Sequence, residues 1–106
     1  MSLSIKAGVR LHGIRPEMNI AATVVEGAYR DSGLNCTITC GMDGKHSMGS
    51  LHYAGAALDF RTNDVPKEKL EPLRKLIVER LPTDFDVILE GDHFHVEHQP
   101  KTYYGG

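Results

Sequence analysis

At 106 residues the chain has room for one domain and not for two. Its 41% hydrophobic and 25% charged content is that of a folded globular chain, which excludes collagen-like, coiled-coil and disordered classes. A formal charge of -2 from 12 basic and 14 acidic residues, with no basic stripe, argues against nucleic acid as the main partner, because phosphate binding needs clustered Lys and Arg.

No stretch approaches the roughly 20 apolar residues of a membrane span, so no membrane partner is expected. The opening Met1-Ser2-Leu3-Ser4-Ile5-Lys6 lacks the basic segment and apolar run of a signal peptide. The expectation is synthesis and folding in a cytoplasm, with action at a cell wall only after release by another agent. Oligomeric state leaves no trace in the sequence.

Taken in chain order, residues 15 to 32 read as an amphipathic helix. Pro16 suits its first turn, and Met18, Ala21, Ala22, Val25, Ala28 and Tyr29 recur at spacings of three and four. This stripe is core packing. Asp31-Ser32-Gly33 ends the helix, with Gly33 as its C-terminal cap. Cys36 to Cys40 alternates and is β-rich, which predicts a strand. Four residues of strand span about 13 Å, beyond the limit of about 7 Å for a disulfide, so Cys36 and Cys40 are expected as buried free thiols. Three glycines and two serines between Gly41 and Ser50 predict a loop.

Residues 56 to 62 form a second expected strand, half buried through Leu58 and Phe60. Asn63-Asp64 offers a cap, Pro66 fits a first turn, and Leu70, Leu73, Ile77 and Leu81 mark a helix to about residue 81. Lys67, Glu68, Lys69 and Glu71 are its solvated face. Phe85 to Glu90 and His93 to Glu97 are two strands around Gly91-Asp92, a two-residue loop with Gly first that suits a type II′ hairpin. The tail from Gln99 to Gly106 is expected to fray. This order predicts a single α+β domain with a mainly antiparallel sheet.

Six histidines is a high count for this length, and His46, His52, His93 and His95 fall in two short segments. The first runs Ser50-Leu51-His52-Tyr53-Ala54-Gly55-Ala56-Ala57-Leu58-Asp59; the second runs Glu90-Gly91-Asp92-His93-Phe94-His95-Val96-Glu97. Zinc accepts imidazole nitrogen and carboxylate oxygen, and a catalytic site uses three protein ligands with a fourth position open. His93 and His95, two apart on a strand, point to one face, and Glu90 opposite His93 shares it. Asp92 stands at the mouth of the same site. Gly55 lets the chain turn between His52 and Asp59. His12 and His98 read as ordinary packed or surface histidines. Glu97 reads as a solvent-facing strand charge, although it joins Ser47 and Ser50 as a residue able to satisfy the second ring nitrogen of a ligand histidine.

The run S-L-H-Y-A-G-A-A-L-D followed by D-H-F-H resembles the S-x-H-x-x-G-x-A-x-D and D/E-(x-x)-H signatures of one zinc peptidase superfamily. It comprises lysostaphin-type peptidases, D-alanyl-D-alanine metallopeptidases and the hedgehog signalling domain. The resemblance covers residues 36 to 98 and is nearest the D-alanyl-D-alanine carboxypeptidase branch, which includes phage L-alanyl-D-glutamate endopeptidases. It implies a hedgehog/DD-peptidase-like fold with two helices on one sheet face, and zinc held by His52, Asp59 and His95. It implies a general base at Asp92, three residues before the last ligand, or at Glu90 when a one-residue gap is allowed. His93 matches a neighbouring histidine that steadies the oxyanion, and His46 matches another pocket histidine. Many carboxypeptidase-branch members place a substrate-binding Arg before the first ligand; Lys45 and His46 stand there here.

The implied function is a zinc peptidase cutting peptidoglycan stem peptides, of DD-carboxypeptidase or endopeptidase (endolysin) type. A hedgehog-like zinc-binding interaction module without turnover is the alternative. A structural site with His93 as fourth ligand is a third. Which peptide bond is cut is not legible, since loop side chains build the pocket that reads substrate.

Overall fold

The computed structural model describes residues 3–43 and 55–99. They form β1 (Leu3–Ile5), α1 (Glu17–Asp31), β2 (Cys36–Cys40), β3 (Ala57–Arg61), α2 (Lys67–Arg80), β4 (Phe85–Glu90) and β5 (His93–His98). The strands make one five-stranded sheet in the order β1-β2-β3-β5-β4. Only β1 with β2 runs parallel; the other pairings are antiparallel. The fold is therefore α+β with a mainly antiparallel sheet, as expected. β1 was not expected, since three residues carry too little pattern to read.

Alternation assigns the two sheet faces. Leu58 pairs with Val96, and Phe60 pairs with both Phe94 and Ile38. All five are essentially solvent-free, and they form one cluster with Met18, Ala21, Val25, Ala28 and Tyr29 of α1 and Leu73 and Ile77 of α2. The expected helix stripes thus meet the expected strand faces. Tyr29 joins the layers in two ways. Its ring meets Phe94 edge-on at 6.5 Å, and its hydroxyl donates to the Arg61 carbonyl at 2.7 Å. Burial raises the Tyr29 pKa, so the hydroxyl stays a donor.

The helix ends have local causes. After α1, Gly33 adopts φ 75, its N–H donates to the Arg30 carbonyl and Leu34 N–H donates to that of Tyr29. This is the Schellman closure, which satisfies carbonyls the helix leaves open. α2 corrects one expectation: Asn63 and Asp64 do not cap it. Pro66 is the N-cap residue, without a side-chain cap bond. Asn63 and Asp64 instead sit in a turn closed by Val65 N–H to the Thr62 carbonyl, which places Val65 in the core. α2 also contains Pro72, which removes a helix hydrogen bond. The burial of Leu73 and Ile77 on either side of the next turn offsets that loss. The helix stops at Leu81, extended at ψ 146 because Pro82 follows.

β4 and β5 form the expected hairpin, in register from Phe85 with His98 to Glu90 with His93. Gly91 has φ 48 and no described non-glycine residue, Asp92 included, has positive φ, so the turn has the II′ signature, with only its first central residue positive. Thr62 N–H donates to the Asp92 carbonyl at 2.8 Å, tying this turn to the end of β3.

Candidate metal centre

The sheet face opposite the helices carries the polar residues. On β5 it presents His93, His95 and Glu97, which alternate with the buried Phe94 and Val96. Their cross-strand partners on β3 are Arg61, Asp59 and Ala57. Those on β4 are Glu90, Ile88 and Asp86. Pairing distance and alternation alone therefore gather Asp59, His93, His95, Glu97 and Glu90 into one patch.

Asp59 is its centre and is only 7% exposed. Its Oδ1 lies 3.0 Å from His95 Nδ1, and its Oδ2 lies 3.6 Å from His93 Nε2. His95 meets a second carboxylate on the other side of its ring, with Nε2 2.9 Å from Glu97 Oε1. Glu90 Oε1 stands 3.5 Å from His93 Nε2 and 4.0 Å from His95 Nδ1. Asp92 lies in the turn, where its Oδ1 is 3.1 Å from His93 Nδ1. The Asp59 hydrogen bond raises the His95 pKa; burial opposes the shift, while the Asp59 and Glu97 charges add to it. The His93 hydrogen bond lowers the Asp92 pKa.

β2 completes the surroundings. A bulge between Ile38 and Cys40 sets Cys40 opposite Asp59. Thr39 Oγ1 approaches the Asp59 carbonyl at 3.5 Å. Both cysteines are free thiols, as expected, but only Cys36 is buried; Cys40 is half-buried. Burial pushes Cys36 up to about 12. Burial, then the Asp43 and Asp59 charges, push Cys40 up to about 11. Gly55 has φ 72, and a Cβ there would collide with the Gly13 carbonyl oxygen. Its own carbonyl accepts from Arg15 N–H at 2.8 Å. The expected turn before Asp59 is therefore also a close crossing of two backbone segments.

Of the residues expected at the site, Asp59, Glu90, Asp92, His93 and His95 come together. His46 and His52, with Lys45, Ser47, Ser50 and Tyr53, lie outside the described residues, as does the tail beyond Gln99. Among the described residues no group of three or more His, Cys, Asp or Glu stands ready to hold a metal ion. Asp59 and His95 nonetheless suit a shared cation. Two ligands of a tetrahedral zinc, at about 2.0–2.1 Å from the metal, stand about 3.3 Å apart. The observed 3.0 Å between Asp59 Oδ1 and His95 Nδ1 is within a few tenths of that.

Glu97 corrects the sequence reading. It is not a solvent-facing charge: its side chain is 15% exposed and directed onto His95. Its position two residues beyond His95 on one strand face was the available signal. A strand-end glutamate is so often exposed that the signal carries little weight by itself.

A family model described as the hedgehog amino-terminal signalling domain matches residues 9–98. The match takes in every element of the fold except β1.

Proposed function

The chain belongs to the family of hedgehog amino-terminal signalling domains, and within that family we propose that it is a zinc-dependent peptidase acting on stem peptides of bacterial peptidoglycan. His52, Asp59 and His95 would hold the metal. Support for the substrate class comes from the two motifs, which resemble the D-alanyl-D-alanine carboxypeptidase and endopeptidase branch of the superfamily.

One observation carries the enzymatic reading: Glu90 brings a carboxylate to within 4.0 Å of the proposed ligand atom His95 Nδ1. A purely structural metal site has no use for a spare carboxylate, whereas hydrolysis needs a group that accepts and returns a proton. Zinc, when bound, would lower the pKa of water and polarise the scissile carbonyl. Glu90 would take the proton from the attacking water and deliver it to the leaving amine nitrogen as the C–N bond breaks. Spacing favoured Asp92 as the base, and strand alternation favoured Glu90. The Asp92 oxygen is engaged by His93, and its side chain is 76% exposed, so we assign it to orienting His93. That leaves His93 Nε2 turned towards Asp59 and Glu90, where a protonated ring would donate to the developing oxyanion.

Digestion of purified peptidoglycan, followed by mass spectrometry of released peptides, tests this reading. Cleavage that stops with chelator, returns with zinc and drops at least a hundredfold in Glu90→Gln supports it. The family match favours a second reading, a zinc-binding interaction module. Stoichiometric zinc with no cleavage of any wall peptide would select that one.

A further inference from the structure

We propose that Glu97 is a positioning residue: it holds the His95 proton on Nε2 and so keeps the Nδ1 lone pair turned towards Asp59. The inference deepens the zinc reading above and rests on Asp59 and His95 as ligands.

The argument starts from what each group can do. An ionised carboxylate only accepts hydrogen bonds, and a neutral imidazole has one N–H and one lone pair. His95 sits between two carboxylates, Glu97 Oε1 at 2.9 Å from Nε2 and Asp59 Oδ1 at 3.0 Å from Nδ1. One imidazole proton cannot serve both. If it lies on Nδ1, Nε2 and Glu97 face each other as two acceptors in a contact whose side chains are only 14% and 15% exposed. If it lies on Nε2, the Glu97 contact is satisfied and the acceptor pair is Nδ1 with Asp59. That pair needs a positive species between its members: a second ring proton at low pH, or a divalent cation in its place once the ring is neutral.

The fold makes the Glu97 contact hard to avoid. Glu97 and His95 are two apart on β5 and project from one face. The β3 partner of Glu97 is Ala57, whose methyl group leaves the carboxylate room to lie along the strand towards His95. Glu97 therefore acts on a cation only through the ring it orients.

Nitrogen NMR of the His95 ring, combined with zinc affinity, tests this in wild type, Glu97→Gln and Glu97→Ala. Wild-type protein is expected to show the Nε2–H form, both zinc-loaded and zinc-free at a pH where the ring is neutral. In Glu97→Ala the neutral zinc-free ring should move its proton to Nδ1, where Asp59 accepts it, and zinc affinity should fall about ten- to a hundredfold. Glu97→Gln keeps an acceptor oxygen and should recover much of both. A neutral His95 with its proton on Nδ1 in wild type overturns the proposal. So does a Glu97→Ala variant with unchanged ring form and unchanged affinity. If wild type fails to bind zinc, the metal reading falls, and the zinc-free ring form still decides the role of Glu97.

Discussion

Asp59 and His95 are direct cross-strand partners on β3 and β5, and their side chains meet at 3.0 Å on the face turned away from the helices. The register that seals Phe60 against Phe94 and Leu58 against Val96 also sets this pair. Local strand pairing, rather than loop conformation, thus brings together residues 36 positions apart.

Replacing Asp59 by Asn keeps the shape and removes the charge. Zinc affinity is expected to fall by more than about a hundredfold, beyond the range for a residue that acts only through a ligand. Competition against a chromophoric chelator measures it. Affinity within tenfold of wild type would remove Asp59 from the ligand set.

The zinc-free protein should lose stability as pH rises through the His95 titration. His95 has its pKa raised above its ordinary 6.5, chiefly by Asp59. The folded state then binds the proton more tightly than the unfolded chain. The contribution is full below about 6.5 and disappears as pH passes the raised value. Urea unfolding between pH 5.5 and 9 should show wild type and Asp59→Asn converging towards the alkaline end. Zinc affinity should move oppositely, weakening at low pH because the proton competes for Nδ1.

Gly55→Ala tests the crossing before β3. Alanine must adopt φ 72 and push its Cβ into the Gly13 carbonyl, at an expected cost of about 1–3 kcal/mol in stability. Denaturant unfolding measures it, and a change below about 0.5 kcal/mol would show that the segment shifts freely.

Thiol labelling at pH 8 should separate the two cysteines. Cys36 is buried, with its pKa up to about 12, and should react only as the protein unfolds. Cys40, half-buried and pushed to about 11, should react slowly but ahead of it. Equal fast reaction of both in native protein would contradict the packing of β2.

Much of this arrangement was legible because burial imposes a period. The stripe of α1, the strand containing Asp59 and the Gly91-Asp92 hairpin all follow from where apolar residues recur and where only glycine fits. β1 escaped because Leu3-Ser4-Ile5 is too short to show a period. Asn63-Asp64 misled because a good capping pair closed a turn instead, once Val65 entered the core. The role of Glu97 was only half legible: the sequence offered it as a partner for a ligand histidine but favoured a solvent-facing charge. Spacing shows which residues share a strand face, but not that a carboxylate bends along it to a neighbour. The choice between Glu90 and Asp92 was open for the same reason, and the proposal of Glu90 draws on their different distances from His95 and His93.

Strand β5 is shared property: its odd-numbered residues serve the site and its even-numbered ones, Phe94 and Val96, serve the interior. Truncating Phe94 would therefore do more than leave a void. Any shift of the backbone into that void would carry both imidazoles with it and detune the grip on a cation from the far side of the sheet. Ion affinity and global stability should rise and fall together across a series of interior variants that never touch the polar face.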